Sequence, residues 1–505
     1  MSRDSSLFKN TLAQSASVLA GYVFSFVLAP IMIARLGLDQ FGVWAVTGAL
    51  ATYAGLLDLG IGRSLSRFVA VFDAGGRDRA IRECVGLGLM SVTTVGALAA
   101  AAAAASAPIL SEQIGVLSTA QMRLVALSSV AIWTLNGYSS VLSAVAIGKR
   151  RMVPPNVAGT IGISVNFAFS VAALAASTHL AVYAAANAAA SLVAIVPSFF
   201  AMRYLWKAPY FGMPSRALAK EVLVFGVKNQ VGWLADLVNF QTDKVVIALI
   251  VDVRAAAVYE IASRVVMGVR GAAILTLSAM IPTTAAQLVR EGREVIGDVY
   301  RRYTLRSCSI AFPLFMFASV SAPFLLVAWL GKAPGDSALI VPLLTLAYVA
   351  HFTTGGGSTI SIGAGRPGMV SANSLLIAVL NVALTVALAP WLGLWGVVLG
   401  TFLALLLGSI RFTQRFLKLF DLPWRDFFAG VLPPGALASL LAVPPALLAL
   451  AVGTPAGRAG AVVLLAVAAL AYIPAYWLVA SRRRYLPERL RIRLPSRGQS
   501  VESTV

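Results

Sequence analysis

Charged side chains are scarce in this sequence, and so are the residues that catalytic and metal sites most often use. Only 12% of the 505 residues are charged, against about 25% in a typical soluble domain. The two cysteines and two histidines form no Cys-x-x-Cys pair or Cys/His cluster, so neither a disulfide nor a metal site is expected. The absence of a GxxxxGK[ST] loop argues against an ATPase.

Long apolar runs are abundant instead. Hydrophobic residues make up 59% of the chain, and the mean hydropathy is +0.84. A soluble core cannot absorb this much apolar side chain, because single cores stop growing at about 250–300 residues. In lipid, only helices and closed barrels satisfy every backbone polar group. The runs are about 20–28 residues long and do not alternate, which fits helices across roughly 30 Å of hydrocarbon rather than barrel strands.

We therefore predict an all-α integral membrane protein with about 14 transmembrane helices, numbered here as spans 1 to 14. The first apolar run is too long for the core of a signal peptide, so it is predicted to be span 1. The predicted spans are residues 11–34, 42–62, 84–107, 124–147, 155–177, 181–202, 222–250, 256–287, 307–330, 338–362, 369–389, 394–410, 427–452 and 459–480.

The basic residues predict the orientation of these spans. With a cytoplasmic N-terminus, 29 Lys and Arg residues fall in cytoplasmic segments and five in external loops. Short cytoplasmic loops are the ones that carry excess Lys and Arg. An even number of spans then predicts a multi-pass protein of the cell (inner) membrane with both termini in the cytoplasm. Because this topology explains the net charge of +20, no nucleic acid partner is expected.

Several features recur about 215 residues apart. Trp44 and Tyr259 stand in step near the starts of spans 2 and 8, and Asn166 and Asn381 lie inside spans 5 and 11. Each copy contains six spans, so the copies share one orientation and are related by an axis along the membrane normal. We predict two parallel six-helix lobes around a central cavity, followed by two C-terminal helices. The predicted domains are 1–215, 216–425, 426–481 for spans 13 and 14, and 482–505 for a basic cytoplasmic tail.

Short motifs in spans 2, 7 and 8 carry a resemblance to a known family. They are Leu36-Gly-x4-Gly-Val-Trp-Ala, Leu57-Asp-Leu-Gly-Ile-Gly-Arg63, Arg67-Phe-Val-Ala70, Val224-Phe-Gly226 and Ala257-Val-Tyr-Glu-Ile-Ala262. Over roughly residues 5–420 the chain resembles the Wzx-type oligosaccharide flippases of the multidrug/oligosaccharidyl-lipid/polysaccharide exporter superfamily. The resemblance implies a two-lobe carrier that moves undecaprenyl-diphosphate-linked sugar repeat units from the cytoplasmic to the outer leaflet. It also makes a polysaccharide polymerase and glycosyltransferases candidate partners.

Charged residues inside the spans are the candidate site. Each costs at least about 2.5–3.5 kcal/mol at a helix centre, so each is expected to face a partner or a wet cavity. On span 7, Asp236 and Asp243 share a polar face with Lys228, whereas Lys244 points away from it. The residues expected to bind the diphosphate are Arg264, Arg270, Lys228, Arg63 and Arg67. The residues expected to serve as cavity acids or in ion coupling are Asp236, Glu260 and Asp58.

Structural roles are the alternative for the same residues. Glu260 and Arg264 are four residues apart on one helix and could neutralise each other. Arg63 and Arg67 could extend to lipid headgroups, and Asp58 could serve helix packing.

The function classes are separated by what the loops and spans contain. No catalytic residue or cofactor is predicted, and coupling to a proton or sodium gradient is left open. A drug/cation antiporter of the same superfamily would have a cavity richer in acids and aromatic residues, and usually twelve helices. A membrane-embedded polysaccharide polymerase or ligase would need catalytic acids or histidines, usually on a long external loop. The longest external loops here are about 15 residues, so a non-enzymatic carrier is favoured.

Overall fold

The structure is a computed structural model, and it describes residues 2–56, 58, 60–205, 212–278 and 296–487. Within these ranges, side chains are described except at 2–19, 63, 204–205, 228–229, 231, 233, 236 and 275–278. The regular elements in the described ranges are all helical, as predicted. They are α1 Ser2–Tyr53, α2 Ile61–Ala74, α3 Asp78–Ile114, α4 Thr119–Gly148, α5 Val153–Ala176, α6 Leu180–Leu205, α7 Arg216–Ile250, α8 Val253–Ser278, α9 Ile296–Val320, α10 Ala322–Leu330, α11 Ser337–Phe352, α12 Gly355–Gly363, α13 Pro367–Leu392, α14 Leu394–Leu419, α15 Trp424–Leu441, α16 Val443–Val452 and α17 Arg458–Arg482, with a 3-10 turn at Ala54–Leu56.

Eleven helical segments in the described residues are long and apolar enough to cross a membrane. Helices α7 and α8 have spanning length, but charged residues interrupt them and they are not among the eleven. The structure therefore supports a multi-pass, all-helical membrane protein.

Helix α1 contains a break that divides it. Gly37 has φ 81° and ψ 170°, which are not helical values. Glycine adopts this conformation because it has no Cβ. The break lies between the segments predicted as spans 1 and 2, so α1 consists of two helices joined at a kink at Gly37.

Contacts divide the chain into two compact units. Unit 1 is Met1–Arg264 with Ser371–Ala404, and unit 2 is Val265–Val370 with Leu405–Val505. Unit 1 thus joins the predicted N-terminal lobe to α7, the first half of α8 and parts of α13 and α14. The lobe boundaries at 215 and 425 stay a prediction.

Small residues allow the helices of unit 1 to pack closely. A Cβ atom built on Gly96 of α3 would lie 2.5 Å from Oγ1 of Thr134 on α4, and one on Gly88 would lie 2.6 Å from Cδ1 of Leu65 on α2. Close approach through small residues is the usual means of helix association in lipid, where hydrophobic burial gives little drive. Around these contacts lies an apolar core from α2, α3, α4 and α7.

The segment before α7 is fastened to the start of α3. Gly212 donates its N–H to the carbonyl of Arg82 at 2.9 Å, and Ser215 donates its N–H to Oε2 of Glu83 at 3.1 Å. Ser215 is also the N-cap of α7 and accepts from the N–H of Leu218. These bonds fix where α7 begins.

Unit 2 contains the C-terminal helices, and α15 packs along α9. A Cβ on Gly430 would lie 2.9 Å from the Thr304 side chain, so glycine allows this contact. Tyr476 on α17 donates to the carbonyl of Ser309 at 2.9 Å. The C-terminal helices of unit 2 are thus held to α9 by both close packing and hydrogen bonds.

Candidate functional site

Helix α7 is the element around which the polar side chains of unit 1 collect. The start of α2 packs on it so closely that a Cβ on Gly60 would lie 2.5 Å from the carbonyl oxygen of Gly226. Gly60 also has φ 74°, so glycine is required there on two counts. Nearby, Gln230 donates to the carbonyl oxygens of Gly55 at 3.1 Å and Leu56 at 3.4 Å. These contacts fix α7 beside the turn that links α1 and α2.

The carboxylate of Glu260 on α8 forms salt bridges with two basic side chains. Lys244 Nζ on α7 lies 2.7 Å from Glu260 Oε2, and Arg264 Nε lies 2.8 Å from Glu260 Oε1. The side chains of Lys244 and Glu260 are each 12% exposed, and that of Arg264 is 24% exposed. We call Lys244, Glu260 and Arg264 the charge triad. With all three groups ionised, the triad carries one excess positive charge.

Arg264 also connects the charge triad to α1. Its Nη1 donates toward the carbonyl oxygen and Oγ of Ser25, both at 3.3 Å. The guanidinium carbon lies 5.3 Å from the ring centroid of Phe41, on the other side of the Gly37 break. A guanidinium is planar and can stack on a ring while its in-plane donors make hydrogen bonds. Arg264 therefore contacts both parts of α1 from α8.

A second buried group, the Asp243 cluster, consists of Asp243, Tyr259, Asn381, Thr385 and Thr401. The hydroxyl of Tyr259 donates to Asp243 Oδ2, Thr401 Oγ1 lies 3.0 Å from the same oxygen, and Asn381 Nδ2 donates to Oδ1 at 3.1 Å. Thr385 Oγ1 donates to Asn381 Oδ1 at 3.1 Å. Asp243 is 2% exposed. Four helices, α7, α8, α13 and α14, thus meet on one carboxylate.

The chemistry of the Asp243 cluster differs from that of the charge triad. Within the described residues, Asp243 has no Lys or Arg at salt-bridge distance; its hydrogen-bond partners are neutral, and Lys244 attracts it electrostatically from further away. Carboxylate, amide and hydroxyl oxygens suit a proton or a hard cation such as Na⁺. The described ranges contain no group of three or more His, Cys, Asp or Glu that could hold a metal ion. The cluster therefore offers a single negative charge among neutral oxygen atoms.

Asp58 lies at the start of α2. Its Oδ2 accepts the N–H of Gly62 at 2.9 Å, and its Oδ1 accepts from Ser91 Oγ on α3 at 2.6 Å. A carboxylate that satisfies a helix N-terminus is stabilised by the positive end of the helix dipole. These contacts give Asp58 a structural role at the junction of α2 and α3.

Arg67 is exposed, and its guanidinium lies over an aromatic ring of α7. The guanidinium carbon is 3.9 Å from the ring centroid of Phe225. Lys244 is nineteen residues further along α7, which at 1.5 Å per residue is about 28 Å. Arg67 and the charge triad are therefore at separate levels of the protein.

Arg270 lies in unit 2, beside α11. Its guanidinium carbon is 5.8 Å from the ring centroid of Tyr348, and it interacts electrostatically with His351. His351 Nδ1 is buried and has no hydrogen-bond partner in the described part of the chain. Gly356 and Gly357, in the glycine run that follows α11, pack closely against Thr304 of α9 and the rings of α14.

Three predicted site residues have side chains outside the described ones, and their roles stay predictions. They are Arg63, Lys228 and Asp236.

A family described as polysaccharide biosynthesis protein matches residues 7–288, a little over half of the chain. The chain belongs to the polysaccharide biosynthesis protein family. A search of curated proteins gives no match.

The fold of this family member is that of a known transporter superfamily. The lipid II flippase MurJ in an inward closed conformation is similar with a TM-score of 0.66 and 12% identity, over 94% of this chain and 99% of that one. A multidrug resistance MATE transporter of the MOP superfamily, in an inward-facing conformation, has a TM-score of 0.63 and 18% identity, over 81% and 94%. An outward-facing MATE structure has a TM-score of 0.54 and 17% identity, over 82% and 95%. The resemblance to superfamily flippases seen in the sequence is confirmed, at the level of family and fold.

For this polysaccharide biosynthesis protein, the structure brings together only part of the predicted site. Glu260 and Arg264 are in contact, whereas Arg67 contacts Phe225, and Asp58 contacts α2 and α3. Lys244 was placed off the polar face of span 7 and was given no site role, and the structure pairs it with Glu260 in the charge triad.

The Asp243 cluster was not predicted from the sequence. Asp243 was placed on the polar face of span 7 but was assigned no role. Its partner Asn381 drew attention only through the internal repeat. The signal that could have identified the cluster is the combination of a carboxylate on span 7 with an amide at the centre of span 11.

Proposed function

We propose that this protein flips undecaprenyl-diphosphate-linked oligosaccharide from the cytoplasmic to the outer leaflet of the inner membrane by alternating access, for cell-surface polysaccharide synthesis. The observation that carries the proposal is the charge triad, in which Lys244 and Arg264 are enclosed with a single carboxylate. Buried positive charge inside a membrane protein is unfavourable without a functional anion. The family match to polysaccharide biosynthesis supports a lipid-linked sugar as the cargo.

The proposed architecture has fourteen spans. Two are the parts of α1 on either side of Gly37, two are α7 and α8, and the remaining ten are the other apolar segments of spanning length. Spans 1–6 and 7–12 form the two lobes, with spans 13 and 14 following. Both termini face the cytoplasm, as the basic loops indicate.

The cargo headgroup sets the chemistry that the site must provide. A diphosphate is anionic and hydrophilic, and charge-assisted hydrogen bonds from Arg and Lys replace its hydration. In the proposed cycle, Arg63 and Arg67 receive the headgroup, and Lys228, Arg264 and Arg270 bind it deeper in the membrane. With a negative cytoplasm, moving two negative charges outward releases about 4.6 kcal/mol per 100 mV, at roughly 2.3 kcal/mol per charge.

Asp243 is the proposed residue for coupling to a proton or sodium gradient. Asp58 accepts a backbone N–H at the start of α2, and Glu260 forms salt bridges with two basic side chains. The hydrogen-bond partners of Asp243, in contrast, are neutral. A proton or Na⁺ bound there would change the charge of a fully buried group. Asp243→Asn is expected to abolish the dependence of transport on the pH or Na⁺ gradient, and an unchanged dependence would exclude this role.

The test of the main proposal is the location of the lipid-linked sugar. Depletion of the protein should cause lipid-linked oligosaccharide to accumulate on the cytoplasmic leaflet. Arg264→Gln should reproduce this effect, because it removes a headgroup ligand. Arg254→Gln is the matched control, since Arg254 is an exposed arginine at the start of the same helix. If depletion leaves the sugar on the outer leaflet as before, the proposed function is wrong.

A drug/cation antiporter is the alternative that a specific observation favours. The fold similarity to MATE transporters is nearly as high as that to MurJ. Loss of such an antiporter would raise sensitivity to cationic drugs and leave lipid-linked oligosaccharide unchanged. A membrane-embedded polymerase or ligase is the less favoured third class, and its loss would leave unpolymerised repeat units on the outer leaflet.

A further inference from the structure

The charge triad has more positive charge than its carboxylate can balance. Lys244 and Arg264 come from two helices and converge on the two oxygens of Glu260, at 2.7 and 2.8 Å. A single cation would be enough to neutralise Glu260. The nearest other carboxylate in sequence, Asp243, attracts Lys244 electrostatically, but it forms no salt bridge with the triad and its oxygens accept hydrogen bonds from Tyr259, Asn381 and Thr401.

The exposure of the triad is uneven. Arg264 is twice as exposed as its two partners, at 24% against 12%. An anion that approaches the triad therefore meets the guanidinium before it meets Glu260. A guanidinium binds carboxylate and phosphate oxygens through the same planar arrangement of donors, so one can replace the other.

We infer that the charge triad is an anion-exchange site in which Glu260 is the resident anion and a phosphate oxygen of the cargo replaces it. Lys244 and Arg264 are then both phosphate ligands in the loaded state. The inference rests on the proposed function for the identity of the cargo, but the exchange itself can be tested with any diphosphate.

The exchange explains why a carboxylate lies beside residues that bind an anion. Two buried cations without a partner are strongly unfavourable, so an empty site without Glu260 would hold its diphosphate too tightly. Glu260 takes back both cations as the cargo leaves. It weakens binding and thereby permits release.

The experiment measures the binding of inorganic diphosphate to the purified full-length protein in detergent by isothermal titration calorimetry. Glu260→Gln should lower the Kd about tenfold, because the competing charge is removed. Adding Lys244→Met to that variant should reverse the gain. Asp73→Asn is the matched control, since it removes a carboxylate from the Lys149 ion pair elsewhere in unit 1, and its Kd should equal that of the wild type.

A second variant covers the case in which Glu260→Gln does not fold. Glu260→Asp keeps the charge but is one methylene shorter, so it cannot hold both cations at once, and its Kd should fall two- to fivefold. Equal or weaker binding by the folded Glu260 variants would overturn the inference and leave the triad as a structural ion pair. A different result would contradict the proposed function alone. In that case, depletion of the protein leaves the lipid-linked oligosaccharide on the outer leaflet as before, while the diphosphate measurements still show the exchange.

Discussion

Substitution of Gly42 by alanine should disrupt a close contact between α1 and α8. A Cβ atom on Gly42 would lie 2.1 Å from the carbonyl oxygen of Val253 and 3.0 Å from its Cγ2. The helices must separate by about 1 Å to relieve this overlap, since Cβ contacts under about 3 Å are not tolerated in close-packed interiors. The obstacle is backbone, so no change of rotamer can remove it.

The expected change in the free energy of unfolding of Gly42→Ala is the sum of two opposing contributions. Overpacking of a well-packed site costs about 1–3 kcal/mol, and a backbone obstacle places Gly42→Ala at the upper end. Alanine gains about 1 kcal/mol over glycine inside a helix. The expected net loss in the free energy of unfolding is about 2 kcal/mol. Gly48→Ala, on the same helix with nothing within 4 Å of its Cβ, keeps only the gain. The two variants should therefore differ by about 3 kcal/mol.

The assay is equilibrium unfolding of the purified protein in mixed detergent micelles. Val253→Ala in the Gly42→Ala background is a further control, because it removes Cγ2 but leaves the carbonyl oxygen that makes the closest contact. It should not restore stability. Equal stability of Gly42→Ala and Gly48→Ala, or full rescue by Val253→Ala, would refute the reasoning and show that α1 and α8 are not this close.

Three further predictions concern single polar contacts. Tyr53→Phe removes the hydrogen bond to Thr242 and should lower the free energy of unfolding by about 0.5–1.5 kcal/mol, with no further loss when Thr242→Val is added. Glu83→Ala removes the acceptor of the Ser215 N–H and should speed tryptic cleavage in residues 203–216, whereas Glu83→Gln, which retains an acceptor, should not. His351→Phe should leave thermal stability equal or raised, because it removes a buried nitrogen without a partner; a clear loss of stability would mean that the imidazole is hydrogen bonded.

The helices could be predicted from the sequence because lipid imposes a simple rule on it. A run of about 20 apolar residues satisfies its own backbone and fits the hydrocarbon layer. The rule predicts a helix less well where charged residues interrupt the apolar run, which is why α7 and α8 are not among the apolar segments of spanning length. It also cannot show that the break between spans 1 and 2 is a kink at Gly37, since a positive φ at glycine leaves no mark in hydropathy.

The site could be predicted only where its contacts are local. Glu260 and Arg264 are one turn apart on the same helix, so their pairing follows from spacing alone. The approach of Lys244 to Glu260 depends on how α7 and α8 pack, and no periodicity in either helix encodes that.

The predicted internal repeat relates residues of the Asp243 cluster and the charge triad to positions in the first copy. At the offset of 215 residues, Asn166 corresponds to Asn381, and Ser170 corresponds to Thr385. Both pairs lie in polar clusters: Ser170 Oγ donates to Asn187 at 3.0 Å, as Thr385 does to Asn381 at 3.1 Å. Leu28 stands where the second copy has Asp243.

The same offset pairs Ala45 with Glu260 and Ala49 with Arg264. The two predicted copies thus share small polar residues that connect neighbouring helices, whereas Glu260 and Arg264 occur only in the second copy. Polar packing between spans 5 and 6, or 11 and 12, is a property of the repeated fold and needs no charge. Buried charge is unfavourable in lipid and is kept where it has a function. On the predicted repeat, Asp243 and the charge triad therefore belong to the second copy alone, and Asn166 and Ser170 are the first-copy counterparts of Asn381 and Thr385.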